Sequence, residues 1–339
     1  MQVDDQTRII NGPVFQEQVK NKLLRIVKFI LLKYKRVCIL KFLLYYKLKN
    51  IMYKFNRYKI KGPKFLLVFP PLQFAEREVV RPDGTLALPY LDAALTEAGF
   101  YSRILDMSIG TSKDDLKDTF YREVPLENGL VKVGMTSERI LEEVHNFDVI
   151  DITSIFTPQT SRCFEISNLI KKTYPEKILI TGGVNARSLR DHFFKNKFDV
   201  IFLSEGEKSI VQFAQFLHSG KPSLSEIPGI AFKKDENIYT NPAINAVDDL
   251  DEYPIPSWGN LPLKKYWEIS RIWGGREGWI EEGDPTNYAA VFTSRGCPFR
   301  CTYCHISKEI GDETGPIGKF RYHSLQRVEQ SSKYLRIWE

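Results

Sequence analysis

Three of the five cysteines in this 339-residue chain fall within eight residues: Cys297, Cys301 and Cys304, spaced C-x3-C-x2-C in residues 294–305 (SRGCPFRCTYCH). Thiolates this close on one loop can converge on one side of an iron–sulfur cluster. Three ligands to a four-iron cube leave one iron without a protein ligand, and that iron is open to a small molecule. Other chemistries fit parts of the same run. A structural zinc site prefers well-separated Cys or Cys/His pairs, and here a fourth ligand is missing unless His305 turns back. Residues 301–305 (CTYCH) also spell C-x-x-C-H, the attachment motif of a c-type haem, which needs export and leaves Cys297 unexplained.

With Tyr303 just before the third cysteine, the spacing resembles the signature of the radical S-adenosylmethionine enzymes. The resemblance implies a [4Fe–4S] cluster held by Cys297, Cys301 and Cys304. It implies S-adenosylmethionine chelating the open iron through its amino and carboxylate groups, with Tyr303 near the adenine. One electron would then release a 5′-deoxyadenosyl radical, which takes hydrogen from an unactivated carbon. In that family the loop follows the first strand of a barrel. Residues 289–293 (AAVFT) are apolar and β-prone, and read as that strand.

The elements upstream must position this loop. Over residues 63–225, apolar strand-like runs at 64–69, 103–106, 148–153, 177–181 and 199–203 alternate with helical patterns at 86–98, from Thr157-Pro158, and 207–218. This order predicts an α/β fold with a doubly wound parallel sheet. Ligands of such sheets sit at the carboxyl ends of the strands, where the strand order reverses. The candidate binding residues are therefore on the strand-end loops: Pro71; Ser154 and Thr157; Gly182, Gly183 and Val184; Glu205 and Gly206. Paired glycines admit a flat ligand close to backbone, and Ser154 can donate a hydrogen bond. Ordinary turn chemistry accounts for the same residues equally well, with Gly182-Gly183 a tight turn and Glu205 an anion near a helix N-terminus.

The order of these features resembles the cobalamin-binding domain that precedes the radical S-adenosylmethionine domain in a large enzyme group. One departure stands out: none of the five histidines lies in the D-x-H-x-x-G motif whose His ligates cobalt. The resemblance then implies cobalamin bound without a protein His on cobalt. Methylation of the substrate radical is the expected outcome, with ring formation or rearrangement as the alternative. A one-electron reductant such as flavodoxin or ferredoxin, and a small-molecule or lipid-like substrate, are the implied partners.

Residues 226–288 read as a β-hairpin around Asp235-Glu236-Asn237 and then an acidic, proline-rich connector, similar to the linker of the same enzyme group. Trp258, Trp267, Trp273 and Trp279 either pack a seam between domains or line a ligand edge. Residues 289–339 would begin the barrel, as the first unit of a partial TIM-type domain. A whole barrel needs roughly 150 further residues at 25–35 per strand–helix unit, so the sequence reads as a fragment. Ser324 is placed to cap a helix from Leu325.

Composition sets the remaining limits. The hydrophobic and charged fractions, 43% and 27%, are ordinary for a globular protein. Cys38 and Cys163 stand alone and read as small buried side chains, so no disulfide framework exists and a reducing cytoplasm is expected. No cleavable signal is visible, since the first residues include Asp4 and Asp5. The net charge of +6 is uneven: residues 18–64 hold fifteen Lys or Arg and no Asp or Glu, which leaves the rest net acidic. Residues 1–62 thus form a basic leader, with an imperfectly amphipathic helix over 19–58 and no apolar run of the roughly 20 residues needed to span a bilayer. Residues 18–60 suit contact with an acidic membrane surface, or packing on the next domain with a solvated basic face. No specific nucleic-acid reader motif accompanies the charge. A non-catalytic cobalamin-binding or membrane-associated fragment is the rival reading of the whole.

Overall fold

Strands that are apolar at every position must be covered on both faces. The computed structural model meets this demand; it describes residues 62–76, 86–243, 249–272, 288–299, 301–302 and 319–335. The leader with Cys38, and also Tyr303, Cys304, His305, Trp273 and Trp279, lie outside the described residues. Strand β1 (Phe65–Phe69) is flanked by β3 (Ser102–Asp106) and β6 (Val149–Ile152), followed by β7 (Ile178–Thr181) and β8 (Val200–Phe202), all parallel. The antiparallel hairpin of β9 (Ile230–Lys234) and β10 (Asn237–Thr240) extends the sheet beyond β8 to seven strands. Its turn residues Asp235 and Glu236 have φ of 47° and 63°, the pair of left-handed residues that matches a hairpin to its strands' twist.

Pleating sends Phe65 and Leu67 to one face and Leu66 and Val68 to the other. Helices α1 (Ala87–Glu97) and α6 (Glu207–Ser219) cover the first face through Leu88, Leu95, Ile210 and Phe213. The second face is covered by α2 (Ser137–Val144), α3 (Thr160–Thr173) and the short α4 (Val184–Ser188) and α5 (Arg190–Lys195), through Ile140, Cys163, Ile166 and Phe193. The doubly wound sheet expected from the alternation is the fold observed.

Two features differ from the sequence reading. A three-stranded antiparallel sheet of β2 (Leu72–Ala75), β4 (Val124–Pro125) and β5 (Leu130–Val133) is inserted in the connections around β3. It closes onto the end of β1 at Gly134, where φ is +133° and a Cβ would lie 2.6 Å from the Met107 carbonyl and 3.1 Å from Pro71 Cβ. Residues 289–293, expected as a barrel strand, form none. A parallel strand takes ladder bonds from its neighbours; here the Ala290 carbonyl accepts from Trp258 Nε1 at 3.0 Å and that of Thr293 from the His323 amide at 2.9 Å. Immediately after it, β11 (Ser294–Arg295) pairs antiparallel with β12 (Arg321–Tyr322). Helix α8 (Leu325–Leu335) follows, and Ser324 Oγ caps it by accepting from the Arg327 amide at 3.1 Å, as expected.

The connector is stitched to the sheet by buried polar groups. Asp92 on α1 is fully buried and accepts from Ser102 Oγ and Ser257 Oγ, both at 2.6 Å, and from Asn260 Nδ2. Trp258 is buried and packs this seam. On α7 (Leu263–Ile272), Tyr266 donates to Asp106 Oδ2 at 2.8 Å. Among the described residues, no helix is long and apolar enough to cross a membrane.

Candidate functional site

The parallel strand order β3-β1-β6-β7-β8 reverses between β1 and β6, which places a crevice outside their carboxyl ends. The strand-end residues singled out from sequence all lie along this rim, but in two layers. Thr157 and Gly183 are exposed, and so is Phe156 between β6 and α3, at 62%. Ser154 is fully buried behind them: its Oγ accepts from Asn185 Nδ2 at 2.7 Å, and the same amide reaches Thr160 Oγ1 at 2.8 Å. Gly183 has φ +101°, and a Cβ there would lie 2.4 Å from the Ser154 carbonyl. The glycine therefore lets the β6 and β7 loops pack backbone to backbone. Val184 opens α4 behind it, and Pro71 is buried against the inserted sheet. Gln159 fixes the exposed corner, its Oε1 accepting from the Ile155 and Phe156 amides at 3.0 and 3.1 Å.

Cys163 lies under this knot. Burial pushes its thiol up to about 12, against the opposing Ser154 hydroxyl, so it stays protonated at neutral pH. It is the small buried side chain expected.

After β8, the Glu205-Gly206-Glu207 loop turns toward the cysteine segment. A Cβ on Gly206 would meet Leu91 Cδ2 at 3.3 Å, so α1 packs closely there. Arg321 grips Glu205 with both terminal nitrogens, at 3.1 and 2.5 Å, and Tyr253 donates to the same carboxylate at 2.9 Å. Burial raises the Glu205 carboxyl, but Arg321 and Arg295 outweigh it and hold the group below its ordinary range. Arg295 Nη2 donates to Glu207 Oε1 at 2.6 Å, and Nη1 lies 3.8 Å from Glu205. The Arg295 guanidinium carbon lies over the rings of Tyr90 and Tyr253, 4.6 and 4.8 Å from their centroids. Burial and the neighbouring Glu207 and Glu205 raise the Tyr253 hydroxyl. Glu205, singled out as a cofactor contact, thus has its carboxylate engaged in holding the cysteine segment.

The two described thiols of the motif, Cys297 and Cys301, are in no disulfide and lie partly exposed on the loop that follows β11. The turn into that loop is Gly296, with φ +87°; a Cβ there would lie 2.1 Å from the Lys319 carbonyl. Two accessible thiols on one tight loop, with the third of the motif close in sequence, are a donor set that fits an iron–sulfur cluster. Beside the loop, His323 is buried, with Nδ1 2.9 Å from Asp251 Oδ1 and Nε2 3.3 Å from the Tyr90 hydroxyl. This ties it into the seam rather than to a metal. Sequence reasoning missed the part played by Arg295, Arg321 and Tyr90. The available signal was charge complementarity: an Arg abutting Gly-Cys, and two glutamates flanking a glycine at a strand end.

No family model matches the chain. It is 25% identical over 304 residues to cytidylyl-2-hydroxyethylphosphonate methyltransferase of Streptomyces wedmorensis, a match covering 80% of this chain and 52% of that protein. It is 23% identical over 145 residues to the cobalamin-dependent radical SAM methyltransferase TokK of Streptomyces tokunonensis, covering 42% of this chain and 20% of TokK. The chain thus spans about half the length of the first relative. Its fold matches the cobalamin-dependent S-adenosylmethionine radical enzyme OxsB, solved with aqua-cobalamin and S-adenosylmethionine, at a TM-score of 0.55 and 21% identity, covering 82% of this chain and 33% of OxsB. TokK and OxsB are of the kind that the cysteine spacing and the strand-end loops resemble.

Proposed function

We propose that this chain serves a cobalamin-dependent radical S-adenosylmethionine enzyme that methylates an unactivated carbon of a small molecule. The observation that carries the reading is the docking of the cysteine loop, through Arg295 and Arg321, onto the carboxyl edge of a sheet whose rim suits a broad flat ligand. Cys297, Cys301 and Cys304 would hold the [4Fe–4S] cluster, and Tyr303 would lie near S-adenosylmethionine. The exposed Phe156, Thr157 and Gly183 would face cobalamin, while Pro71, Ser154, Gly182, Val184, Glu205 and Gly206 shape the rim behind them. When bound, these groups supply radical generation and a transferable methyl. The protein's own share is orientation and exclusion of water: the Asp92 and Glu205 networks close the seam between connector and sheet. A reductant of the flavodoxin or ferredoxin kind completes the system.

After anaerobic reconstitution and reduction, adding S-adenosylmethionine is expected to shift the EPR spectrum of the cluster, because one iron is open to it. A reduced cluster whose spectrum ignores S-adenosylmethionine would count against the reading. The fifteen cations of residues 18–64 support a further assignment, peripheral contact with an acidic membrane surface. Flotation with anionic liposomes should be lost on removing residues 1–60; equal flotation of both forms rejects it.

A further inference from the structure

We propose that Glu207 and Arg295, with Glu205 and Arg321 beside them, form an electrostatic latch that orients the cysteine loop against the sheet's carboxyl edge. This makes them positioning residues for the cluster relative to the cobalamin, and the proposal rests on the cofactor assignment above. Arg295 and Arg321 are directly opposed on the β11–β12 ladder. Like charges so placed repel, so the ladder needs an answer to both. One loop supplies it: Glu205 meets Arg321 and Glu207 meets Arg295. The side chains of Arg321 and Glu207 are only 2% and 6% exposed, where charges interact strongly and an unpaired one is costly.

The geometry is also directional. A guanidinium set over two aromatic rings, hydrogen-bonded to Glu207 and 3.8 Å from Glu205, has an orientation that a lysine ammonium cannot reproduce. From Arg295 to Cys297 there is one intervening residue, Gly296, and its backbone is pressed against the Lys319 carbonyl. The orientation of the guanidinium is therefore passed to the first thiolate with little slack. The other end of the latch begins α6, directly after the β8 end of the rim.

The test uses the full chain reconstituted with iron, sulfide and hydroxocobalamin, then reduced. The readout is the magnetic interaction between reduced cluster and cob(II)alamin, seen as enhanced spin relaxation, which falls steeply with separation. The double variant Glu207→Gln/Arg295→Gln removes both charges together and leaves neither buried and unanswered. It should keep its iron, its cobalamin and a wild-type unfolding temperature, yet lose the relaxation enhancement. An enhancement equal to wild type in that variant overturns the latch. Should the double variant fail to fold, Arg295→Lys decides: it keeps the charge but not the planar guanidinium, and an unchanged enhancement again overturns the proposal. A wild-type chain showing both signals without interaction rejects the latch alone. One lacking either signal rejects the cofactor reading, and the latch with it.

Discussion

Gly296→Ala is expected to strip iron from the reconstituted chain, whereas Gly129→Ala leaves the iron content unchanged. Both glycines have positive φ, +87° and +78°, so both substitutions carry backbone strain of about 1–3 kcal/mol. They differ in what a side chain would meet. Nothing lies within 4 Å of a Cβ at Gly129, while one at Gly296 would sit 2.1 Å from the Lys319 carbonyl and 3.1 Å from Phe320 Cα. No rotamer relieves a clash between a Cβ and backbone. The β11–β12 ladder must separate, and Cys297 moves with it. Iron analysis and thermal unfolding of the two variants check this. Wild-type iron in Gly296→Ala would mean that the turn does not set the thiolates.

The second large effect concerns Asp151, which stands in the middle of the sheet between Leu67 and Ile180. It is 4% exposed and has no hydrogen-bond or ion-pair partner among the described residues. The buried acidic groups of the helices on that face are engaged elsewhere, Asp92 with Ser102, Ser257 and Asn260, and Glu207 with Arg295, while Glu97 is exposed. Burial alone raises the Asp151 carboxyl from 3.8 to about 7. Between those limits the folded chain keeps a proton that the unfolded chain has released. Its contribution to stability is therefore most favourable below pH ~4, falls as pH rises, and levels off above about 7. At 1.36 kcal/mol per pKa unit, the loss across this window is on the order of 4 kcal/mol. Asp151→Asn should remove that slope and leave the protein more stable than wild type at pH 8. Denaturant unfolding from pH 4 to 8 measures it, and parallel profiles for the two proteins contradict the assignment.

What could be read from sequence follows from how local each signal is. The runs that became β1, β6, β7 and β8 are apolar because both faces of each strand are buried, and this leaves a continuous trace in the chain. The cysteine spacing is equally local. The inserted sheet was not legible, since Leu72–Ala75 is short and of mixed polarity and Val124–Pro125 is only two residues long. Residues 289–293 had the composition of a strand but not the neighbours, and their carbonyls went to Trp258 and His323 instead. Glu205 illustrates a different limit. Its position at a strand end was readable, but its partner Arg321 is brought to it only by the β11–β12 pairing. Asp151 was visible as a charge inside a buried-type run, yet only the sheet register shows that Leu67 and Ile180 flank it. The carboxyl-edge rim was legible as a set of loops, but not as two layers, because the Ser154 hydroxyl is held by Asn185 from the next loop.

Residues 297–304 are proposed to hold an open-sided cluster rather than zinc or nothing. Anaerobic reconstitution followed by iron, sulfide and zinc analysis addresses it most directly. About four irons and four sulfides per chain are expected, with visible charge-transfer absorption, and both should be lost in Cys301→Ala. A chain that instead takes up zinc stoichiometrically, shows no such absorption and is unaffected by added iron and sulfide would rule the cluster out.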